Sequence, residues 1–192
     1  TMNGKDIVTI IISVLALAIS GLTAWLTLLR KGQLVMTQPT PLLLAYDKGI
    51  AKVSFYTMMY STAFRGQVIE SLYVILRQSG QQHIFNKWVY TSDSIAYAAG
   101  CYVKPEGIAQ NHQIFTSDNN FIFRTGSLEV DIYANQARRE KPTLMKSLNI
   151  TIPENMKDAC SDKLKGVIFE WESDKCVYSP KAVLNQNELF EK

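Results

Sequence analysis

Three features of the sequence predict a mainly β domain behind one N-terminal transmembrane helix: an unbroken apolar run near the start, a later switch to short alternating segments, and turn residues between those segments. Residues 7–29 hold no charged side chain, and apart from Lys5 and Asp6 every charged residue lies in 30–192. A chain of 192 residues that is 47% apolar and 10% aromatic has room for one ordinary domain and is too apolar for wholesale disorder. Three cysteines are too few for a disulfide scaffold, and a net charge of +3 is too weak to argue for nucleic acid.

Residues 1–6 read as a short tail and 7–29 as the span. Those 23 residues at about 1.5 Å each give roughly 34 Å as a helix, enough for a hydrocarbon core of about 30 Å. A cleaved signal peptide is the rival, but it needs a shorter apolar stretch and a small-residue exit site. Cleavage at Ala16-Leu17-Ala18 would leave eleven uncharged residues at the new N-terminus, so a retained anchor is expected. Trp25 and Arg30-Lys31 suit a membrane interface. Lys5 stands alone against Arg30, Lys31 and Lys48, a bias that favours the cytosolic side for the large domain, with a periplasmic placement the alternative. Ala16, Ser20, Thr23 and Thr27 recur at three- and four-residue steps, a small face through which two copies of the helix could meet. The same hydroxyls could instead bond the preceding turn.

Residues 30–40 form a juxtamembrane linker, too short for a long tether, so the domain should sit close to the bilayer. In 41–153 the strand-sized pieces follow in order. Pro41–Tyr46 and Lys52–Tyr60 flank an Asp47-Lys48-Gly49 turn, and Gln67–Arg77 and Gln82–Thr91 flank Gln78-Ser79-Gly80. Gly107–Phe115, a Ser117-Asp118-Asn119-Asn120 turn, Phe121–Arg124, Ser127–Asn135 and Leu144–Ile152 come next. Leu128, Val130, Ile132 and Ala134 alternate with Ser127, Glu129, Asp131 and Asn135, predicting one buried and one wet face. Leu144, Leu148, Ile150 and Ile152 oppose Ser147, Asn149 and Thr151 in the same way. Val68–Leu76 is apolar on both faces, which suits a central strand covered on its second side by the C-terminal extension. That extension, 154–192, carries a Val167–Trp171 strand, an extra hairpin through Ser173-Asp174 and a polar tail. Seven or more such strands without a long helical stretch predict an immunoglobulin-like antiparallel β-sandwich.

The stretches Phe64–Val74, Phe85–Tyr90 and Val103–His112, taken with the N-terminal helix and its basic flank, give a layout that resembles uncharacterised bacterial single-pass membrane proteins with a C-terminal β domain. The resemblance implies a bacterial inner membrane. It brings no assigned activity, and no catalytic or ligand residue is carried over from it.

Cys101, Asn111 and His112 offer the residue types of a thiol hydrolase, in which a base activates the sulfur and a third group orients the base. Their spacing is not diagnostic, and Glu106, Asn111 and His112 read better as an interaction surface on strand ends and loops. Arg138, Arg139 and Lys141 form a charged hairpin tip that is ordinarily solvated but would meet anionic headgroups if it faced the bilayer. No C-x-x-C or H-x-x-x-H pair supports zinc, no acidic loop has the calcium-binding pattern, and the glycines stand singly rather than in a phosphate loop, so no cofactor or metal is expected. Cys160 and Cys176 could be bridged in an oxidising compartment and would be free thiols in the cytosol. The functional expectation is a non-enzymatic, membrane-anchored protein that recruits or holds a protein partner. The alternatives are a tethered sensor or carrier binding a small ligand between its sheets, and, behind it, a Cys101-dependent hydrolase.

Overall fold

The computed structural model describes residues 3–29, 32–47, 49–62, 66–89, 100–104, 108–117, 121–137, 139–161 and 165–183. Helix α1 spans Gly4–Ala24 and continues as a π-helical turn, Trp25–Leu29. The strands are β1 Leu34–Met36, β2 Leu42–Asp47, β3 Ile50–Ser61, β4 Gln67–Gln78, β5 Gln81–Phe85, β6 Lys87–Val89, β7 Cys101–Val103, β8 Ile108–Thr116, β9 Gly126–Gln136 and β10 Thr143–Ile152. A short 3-10 turn, Glu154–Met156, and helix α2, Lys157–Ser161, lead into β11 Gly166–Glu172 and β12 Val177–Val183.

The start of α1 is set by Asn3, whose backbone N–H donates to the Asp6 carboxylate at 3.2 Å. Gly4–Thr27 is long and apolar enough to cross a membrane, and none of its apolar window is buried against the rest of the chain. A helix apolar on all sides with nothing packed on it differs from the one-sided stripe of a surface helix.

The fold is mostly β, in two antiparallel sheets. Sheet A has the order β12-β11-β2-β3-β8-β6, with β1 also pairing β3; sheet B has the order β10-β9-β4-β5, with β7 also pairing β4. β1 takes the Met59–Ser61 end of β3 and β2 its Ile50–Phe55 end, so the two short strands share one edge of a long one. One core joins the sheets: Leu42, Leu44, Val53, Phe55, Phe115 and Phe169 meet Leu72, Val74, Leu76, Phe85, Leu128, Val130 and Ile132. That supports the two-sheet expectation; the finer immunoglobulin-like strand order is not established by this arrangement.

Both expected hairpins form. Ser79 and Gly80 have φ of 53° and 75°, the left-handed pair that a two-residue type I′ turn uses. Four details differ from the sequence reading. The piece expected over Gln82–Thr91 breaks at Asn86, with β5 in sheet B and β6 in sheet A. Phe121–Arg124 is not a strand: the Gln78 side chain brackets Arg124, accepting from its N–H at 3.1 Å and donating to its carbonyl at 2.6 Å, so one amide takes the place of a neighbouring strand. Leu144 is 49% exposed because Met145 is an extra residue in β10, a bulge that turns Leu144 to the outer face. The described part of the C-terminal extension does not cover β4; β11 pairs with β2, where Val167 and Phe169 enter the core, and β12 pairs with β11.

Gln78 is 6% exposed and its amide satisfies two backbone groups. Gln78→Leu leaves both unpaired and should cost about 2–3 kcal/mol, read as a lowered urea midpoint at constant slope. A midpoint unchanged from wild type would mean that water replaces the amide and that the bracket does not hold this end of the fold.

Candidate interaction surface

The outer face of sheet B is built by register. Pairing places Ser71 opposite Asn135, Tyr73 opposite Tyr133, Ile75 opposite Asp131 and Arg77 opposite Glu129, while Ile84 lies opposite Ile75 and Leu144 opposite Tyr133. The side chains follow that grid. The Tyr73 and Tyr133 rings stack with centroids 5.3 Å apart and planes 8° from parallel. Burial, with Tyr133 beside it, pushes the Tyr73 phenol up. Asn135 donates to the Ser71 hydroxyl at 2.7 Å. Asp131, expected on the wet face, is only 4% exposed; Arg77 reaches its carboxylate at 2.5 Å and Glu129 at 3.4 Å. The hydrogen bond to Asp131 is the main cause that raises the guanidinium further above its already high ordinary value. Ile84 and Leu144 flank this centre at 46% and 49% exposure. Aromatic, Arg and aliphatic groups around a half-buried ion pair are residue types that protein interfaces concentrate at their centres.

The sheet edges are blunted. β12 has Pro180 within it, β6 and β7 are three residues each, and β10 carries both the Met145 bulge and Lys146 in the core-facing register opposite Ile132. A partner that extends a sheet finds no long, flat edge among the described residues, which directs recognition to a face or to loops.

The residues singled out from sequence are not brought together as one surface. Glu106 and Arg138 lie outside the described residues, as do Arg30, Lys31 and the 184–192 tail, and Asn111 is placed on β8 by its backbone alone. Arg139 and Lys141 are exposed in the turn between β9 and β10. His112 is on the outer face of sheet A, stacked on Tyr56 with centroids 4.5 Å apart. Cys101 is on β7 in sheet B, opposite the core residue Ile69 and packed against the core, whereas His112 faces outward from sheet A, so the described geometry does not bring the sulfur and the imidazole together. Burial also pushes the Cys101 thiol up, away from the reactive thiolate. Cys160 and Cys176 are both free: Cys160 is buried in α2 beside the start of β11, and Cys176 is exposed in the turn beyond its other end. Seven strand residues at about 3.3 Å each separate those ends, far beyond a disulfide's Cα spacing of about 4.4–6.8 Å. Among the described residues no three His, Cys, Asp or Glu side chains gather as a metal-binding group. On the helix, Ala16, Ser20, Thr23 and Thr27 are accessible, but Thr23 donates to the Ile19 carbonyl at 2.8 Å and Thr27 to the Thr23 carbonyl at 2.7 Å. Those two hydroxyls are satisfied within their own helix.

His112 is pushed down to about 4 by burial and by the Lys52 charge. The unfolded chain binds this proton near 6.5 and the folded chain only near 4, so between those values the unfolded state holds more protons and stability falls as pH falls. The ring is partly exposed, which discounts the effect to about 1–2 kcal/mol. His112→Asn should lose less stability than wild type between pH 7 and pH 4.5 in urea titrations; equal losses would remove His112 from the acid response.

A cleft of about 130 Å³ lies beside the β4–β5 turn, lined by Gln78, His83, Phe121, Ile122 and Arg124. It sits at one end of the sheets rather than between them, and it is below the roughly 300–1,000 Å³ of small-molecule sites.

Fold and surface together define a two-sheet antiparallel β domain carrying one exposed apolar helix. No family model matches the chain, and no curated protein matches its sequence. Among solved structures, it is similar to β-glucosidase 3B from Thermotoga neapolitana in complex with α-D-glucose, at 12% identity and a TM-score of 0.38, over 72% of this chain and 17% of the glucosidase. It is also similar to Spo0M, the sporulation control protein of Bacillus subtilis, at 11% identity and a TM-score of 0.34, over 83% of this chain and 92% of that one. At these values neither neighbour bears on what this chain does.

Proposed function

We propose that this is a single-pass, membrane-anchored protein whose β domain holds a protein partner at the bilayer surface, without catalysing a reaction. The observation that carries the reading is α1: about one turn of π-helix and the four residues 30–33 separate an exposed apolar helix from a packed β domain. Apolar surface on that scale is not sustained in water and calls for a bilayer. Partner binding rests on the outer face of sheet B, where Tyr73, Tyr133 and Arg77 form a rigid centre between Ile84 and Leu144. The cytosolic side remains the orientation that the flanking charges favour.

A photoactivatable phenylalanine analogue at Leu144 or Ile84, incorporated in the cell of origin, tests the surface. The reading expects one discrete adduct from both positions and none from Asp174 in the β11–β12 turn. Absence of an adduct at Leu144 and Ile84, or the same adducts from all three positions, would remove this face as the recognition surface.

A further inference from the structure

We infer that the end of the β domain nearest α1 is itself a lipid-contacting surface, docked on anionic headgroups through Lys104, Arg139 and Lys141. The inference rests on the membrane-anchor reading and adds where the domain touches the bilayer.

Hydrogen bonds tie the relevant segments to one end of the fold. Gln33 exchanges bonds with Thr62: its N–H donates to the Thr62 hydroxyl at 2.8 Å, and its carbonyl accepts from the Thr62 N–H at 2.9 Å. Leu34 pairs with Ser61, and the Gln67 side chain donates to the Ser61 hydroxyl at 3.2 Å, joining the ends of the two sheets. Gln67 pairs with Val103, which places Lys104 just beyond that end. Ala137 donates to the Val68 carbonyl at 3.0 Å, so the turn that carries Arg139 and Lys141 projects from the same end. The sequence alone left open whether this turn faces the membrane or the solvent, and the strand order places it on the helix side.

Chain length then sets the distance. From Leu29, the last helical residue, to Gln33, the first residue bonded to the domain, there are four Cα steps of at most about 3.8 Å, roughly 15 Å in all. The headgroup layer on one side is about 5–8 Å thick, so even a fully extended link leaves this end no more than about 10 Å beyond it. Lys104, Arg139 and Lys141 are exposed, with Glu140 the one acid between them in the turn. Tyr102 is 58% exposed at the same end, opposite Val68 at 45%, an amphipathic ring and an aliphatic neighbour of the kind that settles at a membrane interface. Basic groups held at the surface are attracted to anionic lipid over about a Debye length, 8–10 Å at moderate salt.

The test reconstitutes the full chain, in a Cys176→Ser background, into vesicles of phosphatidylcholine alone or mixed with phosphatidylglycerol. A fluorophore is placed at Pro142→Cys, in the turn, or at Gln81→Cys, at the opposite end. Lipid carrying a spin label on its headgroup should quench the Pro142 probe several-fold more than the Gln81 probe. The difference should grow with phosphatidylglycerol and shrink in the Lys104→Gln/Arg139→Gln/Lys141→Gln variant or at high salt. Equal quenching at the two positions in protein that floats with the vesicles would overturn the docking while leaving the anchor intact. Quenching at Pro142 that ignores phosphatidylglycerol would overturn the role given to the three basic residues. Protein that does not float with the vesicles would overturn the anchor reading, and the docking with it.

Discussion

Phe169→Ala should lower the unfolding free energy of the detergent-solubilised chain by about 3–5 kcal/mol, the usual cost of emptying a fully buried aromatic site. Phe169 has no exposed surface, pairs with Leu42 on one side and Pro180 on the other, and packs in the core that joins the two sheets. Its neighbours Leu42 and Leu44 belong to β2, more than a hundred residues earlier in the chain, so removing the ring opens a cavity in the core between the sheets, beneath β11 and β2. Val177→Ala, at a side chain 48% exposed on β12, is the control and should stay within about 0.5 kcal/mol of wild type. Urea unfolding followed by tryptophan fluorescence reads both variants. A Phe169→Ala midpoint close to that of Val177→Ala would mean that β11 is an accessory strand and that the core closes without it.

Arg77→Met has the second-largest expected effect, about 2–4 kcal/mol, because it strands a buried charge. Asp131 is almost wholly buried, its Oδ2 is held by Arg77, and its Oδ1 has no hydrogen-bond partner among the described residues. Losing the guanidinium leaves a nearly buried carboxylate without its counter-ion. The double variant Arg77→Met/Asp131→Leu removes both charges and should recover most of the loss, since a buried pair often contributes little relative to an apolar replacement. A single variant as stable as wild type, or a double variant as unstable as the single, would contradict this account of the pair. Because Tyr73, Tyr133 and Arg77 form the centre of the proposed recognition face, a stable double variant also separates folding from binding: it should fold yet give no adduct at Leu144.

Much of the fold was legible because local chemistry determined it. The charge-free run of α1, the Ser79-Gly80 turn and the strict alternation of Leu128, Val130, Ile132 and Ala134 each need only neighbouring residues to explain them. The departures come from interactions that are distant in sequence or shift register by one residue. Asp131 looks like a solvated strand residue until β4 brings Arg77 to it from 54 positions away. One extra residue, Met145, is enough to reverse Leu144. The strand period continues through Phe121 and Phe123, both buried, although the partner that holds this segment is a side-chain amide and not a strand. The candidate surface was the least legible part. Tyr73 and Tyr133 meet only through the β4–β9 register, whereas Cys101 and His112, eleven positions apart in the chain, are assigned to different sheets. Chemistry-bearing residue types at short sequence spacing pointed to the wrong neighbours here, because in a two-sheet fold adjacent strands need not share a sheet.

The central claim is that α1 holds this β domain in a bilayer. Washing native membranes with alkaline carbonate, which strips proteins bound only by surface contacts, tests it most directly. The account predicts that the full chain stays with the sedimented membranes; recovery of the chain in the supernatant would contradict it.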